Sequence, residues 1–279
     1  MHQSYYYIKK RLHKWGEEAE RTAIAKHLLS EVIGLSTASL YAGVGGELSP
    51  ECYEQIDSII DRLLKNEPLQ YILGEAVFYG RSYKVNPGVL IPRPETAELV
   101  EWVVNTYRGK EARILDIGTG SGCIAISIAK ELPATCVEAW DISMPALEVA
   151  KENAQRHKVK VLLKQVDICN PTESSPSSFH CIVSNPPYIT ASEKAEMEAH
   201  VLDWEPHIAL FAPDGDVLCF YRAIAEQART LLLPQGSLFF EINAEYATEV
   251  VKLLESLSYR DIIVRKDIYG KDRMVKAIK

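Results

Sequence analysis

The segment Arg113-Ile114-Leu115-Asp116-Ile117-Gly118-Thr119-Gly120-Ser121-Gly122 decides the fold. Its first five residues are mostly apolar, the run expected of a strand buried on both faces. Three glycines at every second position then let the backbone turn sharply, and residues 124–131 continue with apolar side chains at helical spacing. Strand, glycine turn and helix open an α/β unit. A plain strand-to-helix connection uses the same turn, so the flanking segments must separate the two readings.

Downstream, β-prone runs at 136–140, 159–166, Phe179–Ser184 and 237–242 alternate with helical patterns at 146–157, 217–233 and 244–256. This alternation predicts a mostly parallel sheet with helices on both faces. Two closing β-prone segments, 261–265 and 273–278, are separated by Tyr269-Gly270-Lys271 with no helix between them. So short a connection joins antiparallel neighbours only, and the last strand is expected to run against the others. Upstream, glycines and prolines punctuate short β-prone pieces at 76–79 and 83–85, which predicts a hairpin linker. Earlier still, Leu12, Leu28, Leu29, Ile56 and Ile60 belong to helical repeats, broken by turn formers at 43–46 and at Ser49-Pro50. The expected organisation is a helical N-terminal domain over 1–72, a β-hairpin linker over 73–94 and the α/β domain over 95–279. The cluster Tyr5-Tyr6-Tyr7 either packs the first helix or offers a contact surface.

The 279 residues include 38 acidic and 31 basic side chains, a net charge of −7. That balance disfavours bare nucleic acid as the main partner, because such binding rests on phosphate neutralisation. No apolar run is long enough to span a membrane, and the N-terminus lacks the apolar core of a secretory signal, so a cytoplasmic protein is expected. Six scattered cysteines without a C-x-x-C pair, and seven dispersed histidines, point to neither a disulfide framework nor a metal centre. The polar stretch 170–178 is expected to be a mobile loop without function.

The spacing of Gly118, Gly120 and Gly122 is G-x-G-x-G; the third glycine of a dinucleotide fingerprint would fall on Cys123. A nicotinamide dehydrogenase is therefore poorly matched. Asp141 ends the second strand, about 20 residues on, where a carboxylate can accept both ribose hydroxyls. Asp167 ends the third and suits an adenine amino group. Glycine loop, ribose carboxylate and base reader share the C-terminal edge of the sheet, where open α/β folds bind ligands. A nucleoside that needs no phosphate fits, with S-adenosylmethionine the candidate and no metal required.

The fourth strand ends in Asn185-Pro186-Pro187-Tyr188. Both prolines lack an N–H but keep their carbonyls, and Asn185 adds a side-chain carbonyl. The turn is rigid and rich in acceptors, suited to both hydrogens of a planar –NH₂ group, with the Tyr188 ring to lie against it. Amide and aromatic-amine nitrogens are weak nucleophiles; acceptors on their hydrogens push electron density onto nitrogen and fix its line of approach.

Together with Glu67-Pro68-Leu69-Gln70-Tyr71-Ile72-Leu73-Gly74, Phe78-Tyr79-Gly80 and Val89-Leu90-Ile91-Pro92-Arg93-Pro94-Glu95-Thr96, these motifs resemble the release factor glutamine methyltransferase family (PrmC, formerly HemK). That family belongs to the Rossmann-like class I S-adenosylmethionine-dependent methyltransferases. The resemblance covers nearly the whole chain and implies methyl transfer to the side-chain amide nitrogen (N5) of the glutamine in the Gly-Gly-Gln motif of bacterial peptide chain release factors, with S-adenosyl-L-homocysteine as product. It also implies that Gly118, Thr119, Gly120, Ser121 and Gly122 line the cofactor, Asp141 holds its ribose, and Asp167 with Ile168 borders the adenine. Asn185 and the Pro186 carbonyl receive the glutamine amide, with Pro187 and Tyr188 beside it. Arg93 and Thr96 approach the methionine end of the cofactor; Arg93 reads equally as a linker salt bridge. Phe78 and Tyr79 either cover the site or pack the hairpin. Ile168 stands where the family often has a bulky, tryptophan-like residue, which leaves stacking on adenine open. The segment Glu205-Pro206-His207, with Ala209-Leu210, resembles a family stretch near the substrate, and His207 reads as a structural histidine. A monomer without membrane or direct nucleic-acid contact is expected. The alternative is an amino-methyltransferase acting on adenine or guanine in DNA or RNA, which shares the Asn-Pro-Pro-Tyr turn. A nucleotide sensor without chemistry is a further rival, and the intact turn argues against it.

Overall fold

Apolar side chains recurring every three or four residues draw the N-terminal region into helices. A computed structural model describes residues 2–43, 48–170, 178–190, 193–213 and 215–279; the turn formers at 44–46 and the loop at 171–177 lie outside the described residues. The chain divides into two units, Met1–Leu73 and Gly74–Lys279. The first contains α1 (Gln3–Arg11), α2 (Glu18–His27), α3 (Thr37–Ala42), α4 (Pro50–Leu63) and α5 (Leu69–Leu73). Ser36 and Ser49 cap α3 and α4, each accepting the N–H three residues on. Ile8, Leu12, Leu28, Leu29, Ile56 and Ile60 form its solvent-free core. Tyr5 is buried there, Tyr7 donates its hydroxyl to Asp57 (2.7 Å), and Tyr6 is exposed.

The second unit opens with an antiparallel hairpin, β1 (Glu75–Phe78) and β2 (Arg81–Lys84), turned by Tyr79 (φ +48°) and Gly80 (φ +71°). Both turn residues need positive φ, as two-residue hairpin loops do. Then follow α6 (Pro94–Tyr107), β3 (Arg113–Ile117), α7 (Cys123–Glu131), β4 (Cys136–Asp141), α8 (Met144–Arg156), β5 (Val161–Gln165) and β6 (Phe179–Ser184). Two short helices, α9 (Ala199–Trp204) and α10 (His207–Leu210), precede α11 (Cys219–Leu231), β7 (Leu232–Glu241), α12 (Ala247–Ser256), β8 (Arg260–Lys266) and β9 (Asp272–Ile278).

The sheet order is β5-β4-β3-β6-β7-β9-β8. β3, β4, β5, β6 and β7 pair in parallel, whereas β9 is antiparallel to both β7 and β8. The last strand is thus reversed, as its short connection requires, and it wedges between β7 and β8 rather than adding at the edge.

The sequence reading assigns no element to 95–112, where α6 runs. Thr96, Leu99, Val100, Val103, Val104 and Tyr107 are buried there at helical spacing, with Glu101 and Asn105 exposed on the other side, an amphipathic helix that this reading does not assign. On the other side of the chain reversal the order switches around β3, with β4 and β5 to one side and β6 to the other. A crevice at the strand ends is the consequence.

Candidate active site

The glycine turn is set by β3 and β4 before any ligand is considered. Gly118 and Thr119 both donate their N–H to the Trp140 carbonyl (2.9 and 3.1 Å), which folds the turn over the end of β4. Gly118, Gly120 and Gly122 have φ of +73°, +54° and +80°, a region that side chains with a Cβ rarely occupy. Their surroundings differ. A Cβ on Gly122 would come within 2.8 Å of Ile126 Cδ1 and 3.1 Å of Ala150 Cβ, whereas on Gly118 or Gly120 it would meet nothing within 4 Å. Gly122 lets α7 pack; Gly118 and Gly120 leave an open cradle.

That cradle is one wall of a cleft of about 970 Å³. Asp141 stands on its floor: one carboxylate oxygen accepts the Gly120 N–H (2.8 Å) and the other the Ser143 N–H (2.9 Å). Burial pushes the Asp141 carboxyl up, against the pull of these donors. Asp167 lies further along, holding the Asn170 side chain (3.0 Å) and the Cys169 N–H (2.9 Å), and these hydrogen bonds keep its carboxyl low. Ile142, Ala146, Val166, Ile168 and Phe220 supply the apolar walls. Beneath the turn, fully buried Asp116 accepts from Thr119 Oγ1 (2.6 Å) and the Ala125 N–H (3.2 Å), and burial pushes it up to about 7. Its other oxygen and Ser121 Oγ are buried without a protein partner, which leaves polar capacity at the cradle. Buried carboxylate, apolar walls, glycine cradle and orphaned polar atoms all fit an adenosyl ligand with an amino-acid end.

The acceptor turn is positioned by register. Ile117 pairs with Ser184, and Ser184 Oγ donates to the Ile117 carbonyl (2.7 Å). Gly118 and Asn185 therefore leave adjacent strands side by side. Asn185, Pro186 and Pro187 line the large cleft and also a second one of about 860 Å³, walled by Arg93, Tyr188, Met197, Val201 and Leu210. Leu90 and Ala209 border both.

Two residues expected at the methionine end of the cofactor do not line the large cleft. Thr96 is buried behind Asn185: it accepts from Asn185 Nδ2 (3.2 Å) and donates to Glu241 Oε2 (2.6 Å). Arg93 forms the salt bridge of its other reading, 2.6 Å from the buried Glu205, which also accepts the Ile91 N–H (3.2 Å). The Tyr188 ring packs toward the core and its hydroxyl donates to Glu241 Oε1 (3.2 Å); burial pushes its pKa well above the usual phenol value, so it stays protonated. Phe78 is buried in the core and packs the hairpin. His207 binds the Leu202 carbonyl (2.9 Å) and meets Phe211 edge-on, a structural histidine.

Sequence reasoning passed over Ile142, Phe220 and Glu241, and it quoted Leu90 and Glu205 within motifs without giving either a role of its own. For Glu241 a signal existed: like Asp141, it is a carboxylate closing an apolar strand at the ligand-binding edge. The others are ordinary apolar or loop residues that only folding gathers.

Residues 6–74 match the PrmC N-terminal domain and residues 95–203 the methyltransferase small domain. The release factor glutamine methyltransferase of Bacteroides thetaiotaomicron is 48% identical over 271 residues, 97% of each chain. The chain belongs to the release factor glutamine methyltransferase family. The family member of Streptococcus pneumoniae is 40% identical over 262 residues, 93% of this chain and 91% of that one. A methyltransferase from Pyrococcus furiosus shares the fold at TM-score 0.51 and 17% identity, over 78% of this chain and 96% of that chain. Membership in this family makes the chain a methyltransferase and implies use of S-adenosylmethionine. Among the described residues no helix is long and apolar enough to cross a membrane, and no group of three or more His, Cys, Asp or Glu side chains is gathered to hold a metal ion.

Proposed function

We propose that the enzyme methylates N5 of the glutamine in the Gly-Gly-Gln motif of bacterial peptide chain release factors, working as a cytoplasmic monomer without a metal. One observation carries the reading: the Asn185-Pro186-Pro187 turn is the shared wall of two clefts, one built for a nucleoside and the other open beside Tyr188. A planar amide reaching that wall from the second cleft meets a turn whose two prolines keep their carbonyls and offer no N–H.

Bound S-adenosylmethionine supplies an electrophilic methyl group on a sulfonium. Gly118, Thr119, Gly120, Ser121 and Gly122 would cradle it, Asp141 would accept its ribose hydroxyls, and Asp167 with Ile168 would flank its adenine. Asn185 Oδ1 and the Pro186 carbonyl accept the two amide hydrogens, raise electron density on nitrogen and fix its direction. Holding the two reactants in line supplies most of the acceleration. Arg93, through Glu205, shapes the entrance beside Leu90 and Ile91. Residues 1–72 would serve as the recognition domain for the release factor and 73–94 as the linker; the match to a family-specific N-terminal domain supports that division.

The test is methyl transfer from labelled S-adenosylmethionine to a release factor, to its Gly-Gly-Gln Gln→Ala variant, and to structured RNA. Label in the first alone is expected. Label in RNA and none in the release factor overturns the reading in favour of the amino-methyltransferase of nucleic acid. Asn185→Ala should abolish transfer while cofactor binding persists.

A further inference from the structure

We propose that Glu241 is a positioning residue which, through Thr96, sets which end of the Asn185 side-chain amide faces the substrate. The inference rests on the proposed amide acceptor and adds what orients its receptor. An asparagine amide has a donor end and an acceptor end of nearly equal size, and only the acceptor end can receive a substrate N–H. Nothing in Asn185 itself selects between the two.

The selection comes from a chain of hydrogen bonds behind the turn. Glu241 is fully buried at the end of β7, and an ionised carboxylate only accepts. Thr96 has a single hydroxyl proton. Its short bond to Glu241 Oε2, 2.6 Å, takes that proton and leaves only lone pairs on the other side. The Asn185 group 3.2 Å away must then be the –NH₂, which turns Oδ1 toward the clefts. The second carboxylate oxygen takes the Tyr188 hydroxyl proton, so both ends of the Asn-Pro-Pro-Tyr turn are anchored on one carboxylate. Burial pushes the Glu241 carboxyl up, and the hydroxyls of Thr96 and Tyr188 and the positive charge of Arg273, from β9, pull against it; with both carboxylate oxygens already accepting a hydroxyl proton, the carboxylate acts as an acceptor. A neutral amide at position 241 would break the polarity, since its –NH₂ can donate to Thr96, free the threonine proton for Asn185 Oδ1 and reverse the receptor.

Three variants test this against the wild-type enzyme with a release factor: Thr96→Val, Thr96→Ser and Glu241→Gln. Wild-type transfer to the glutamine is the control; its failure removes the proposed function, and only its success makes the variants informative. Thr96→Val and Glu241→Gln are expected to lower kcat by about tenfold to a hundredfold, the scale of a misplaced reacting group, with S-adenosylmethionine affinity within about twofold of wild type. Thr96→Ser, which keeps the hydroxyl but not the methyl, should recover most of the kcat lost in Thr96→Val. A Thr96→Val enzyme with kcat within about twofold of wild type overturns the inference, and so does equal loss in Thr96→Val and Thr96→Ser, since packing and not the hydroxyl would then be responsible. Thr96→Val also answers the question if Glu241→Gln does not fold.

Discussion

Gly118→Ala and Gly122→Ala should separate ligand binding from stability although the two residues sit four positions apart in one loop. Both demand a positive φ, +73° and +80°, so an alanine at either site costs about 1–2 kcal/mol of backbone strain. At Gly118 that is the whole stability cost, because the new methyl meets nothing within 4 Å. At Gly122 the methyl is driven against Ile126 Cδ1 at 2.8 Å and lies 3.3 Å from the Ala150 Cα in the backbone of α8. Overpacking adds about 1–3 kcal/mol, for a total of roughly 2–5 kcal/mol. In a domain of this size each kcal/mol lowers Tm by about 2–4 °C. Ligand affinity should rank the other way. The Gly118 methyl projects into the cradle and should weaken S-adenosylmethionine binding by about tenfold or more, near 1.4 kcal/mol. Gly122→Ala should bind within a few-fold of wild type at temperatures where it remains folded. Thermal unfolding by circular dichroism and binding calorimetry on both variants decide the matter. Greater destabilisation by Gly118→Ala, or unchanged affinity in it, would refute the division of the loop into a packing glycine and a cradle glycine.

Two further outcomes follow from buried charge. The Asp116 carboxyl is raised to about 7 in the folded protein by burial, against about 4 in an unfolded chain. Its contribution to stability is therefore complete below about pH 4 and is lost as pH rises through about 7, on the order of 4 kcal/mol in all. Asp116→Asn should flatten the fall in unfolding free energy between about pH 4 and pH 7 in denaturant titrations, and an unchanged slope would count against the assignment. Among the described residues, Arg93→Ala leaves the buried Glu205 carboxylate the Ile91 N–H as its hydrogen-bond donor. Because the arginine is a third exposed (34%), the loss should fall below the 3–5 kcal/mol of a fully buried pair, near 2 kcal/mol. In a double-mutant cycle with Glu205→Gln, a coupling under about 0.5 kcal/mol would show that the pair does not act as one.

The gathering of the first cleft was legible because its parts follow strands. Gly118, Asp141 and Asp167 follow apolar runs at regular intervals, so the sheet order alone brings them to one edge. Asn185-Pro186-Pro187-Tyr188 was legible for the same reason and for its chemistry. Helix α6 was legible too, since Thr96, Leu99, Val100, Val103 and Tyr107 recur at helical spacing, yet the reading assigns it no element. Thr96 and Arg93 stand near the site as their neighbouring motif suggests, yet their partners, Glu241 and Glu205, lie 145 and 112 residues away in sequence. A hydroxyl or guanidinium carries no mark of which distant carboxylate it will meet.

The wedging of β9 between β7 and β8 also gives the site an order of assembly. Cradle, Asp141 and the β3–β5 sheet are joined by contacts within some fifty residues of chain. The acceptor half gathers Thr96, Asn185, Tyr188 and Glu241 with Arg273, and the last of these arrives on the strand that must slip between two others. Loop-closure entropy favours the short-range half forming first. During refolding, the chain should gain the ability to hold its nucleoside before it can offer an oriented amide receptor, so recovery of ligand binding should precede recovery of methyl transfer.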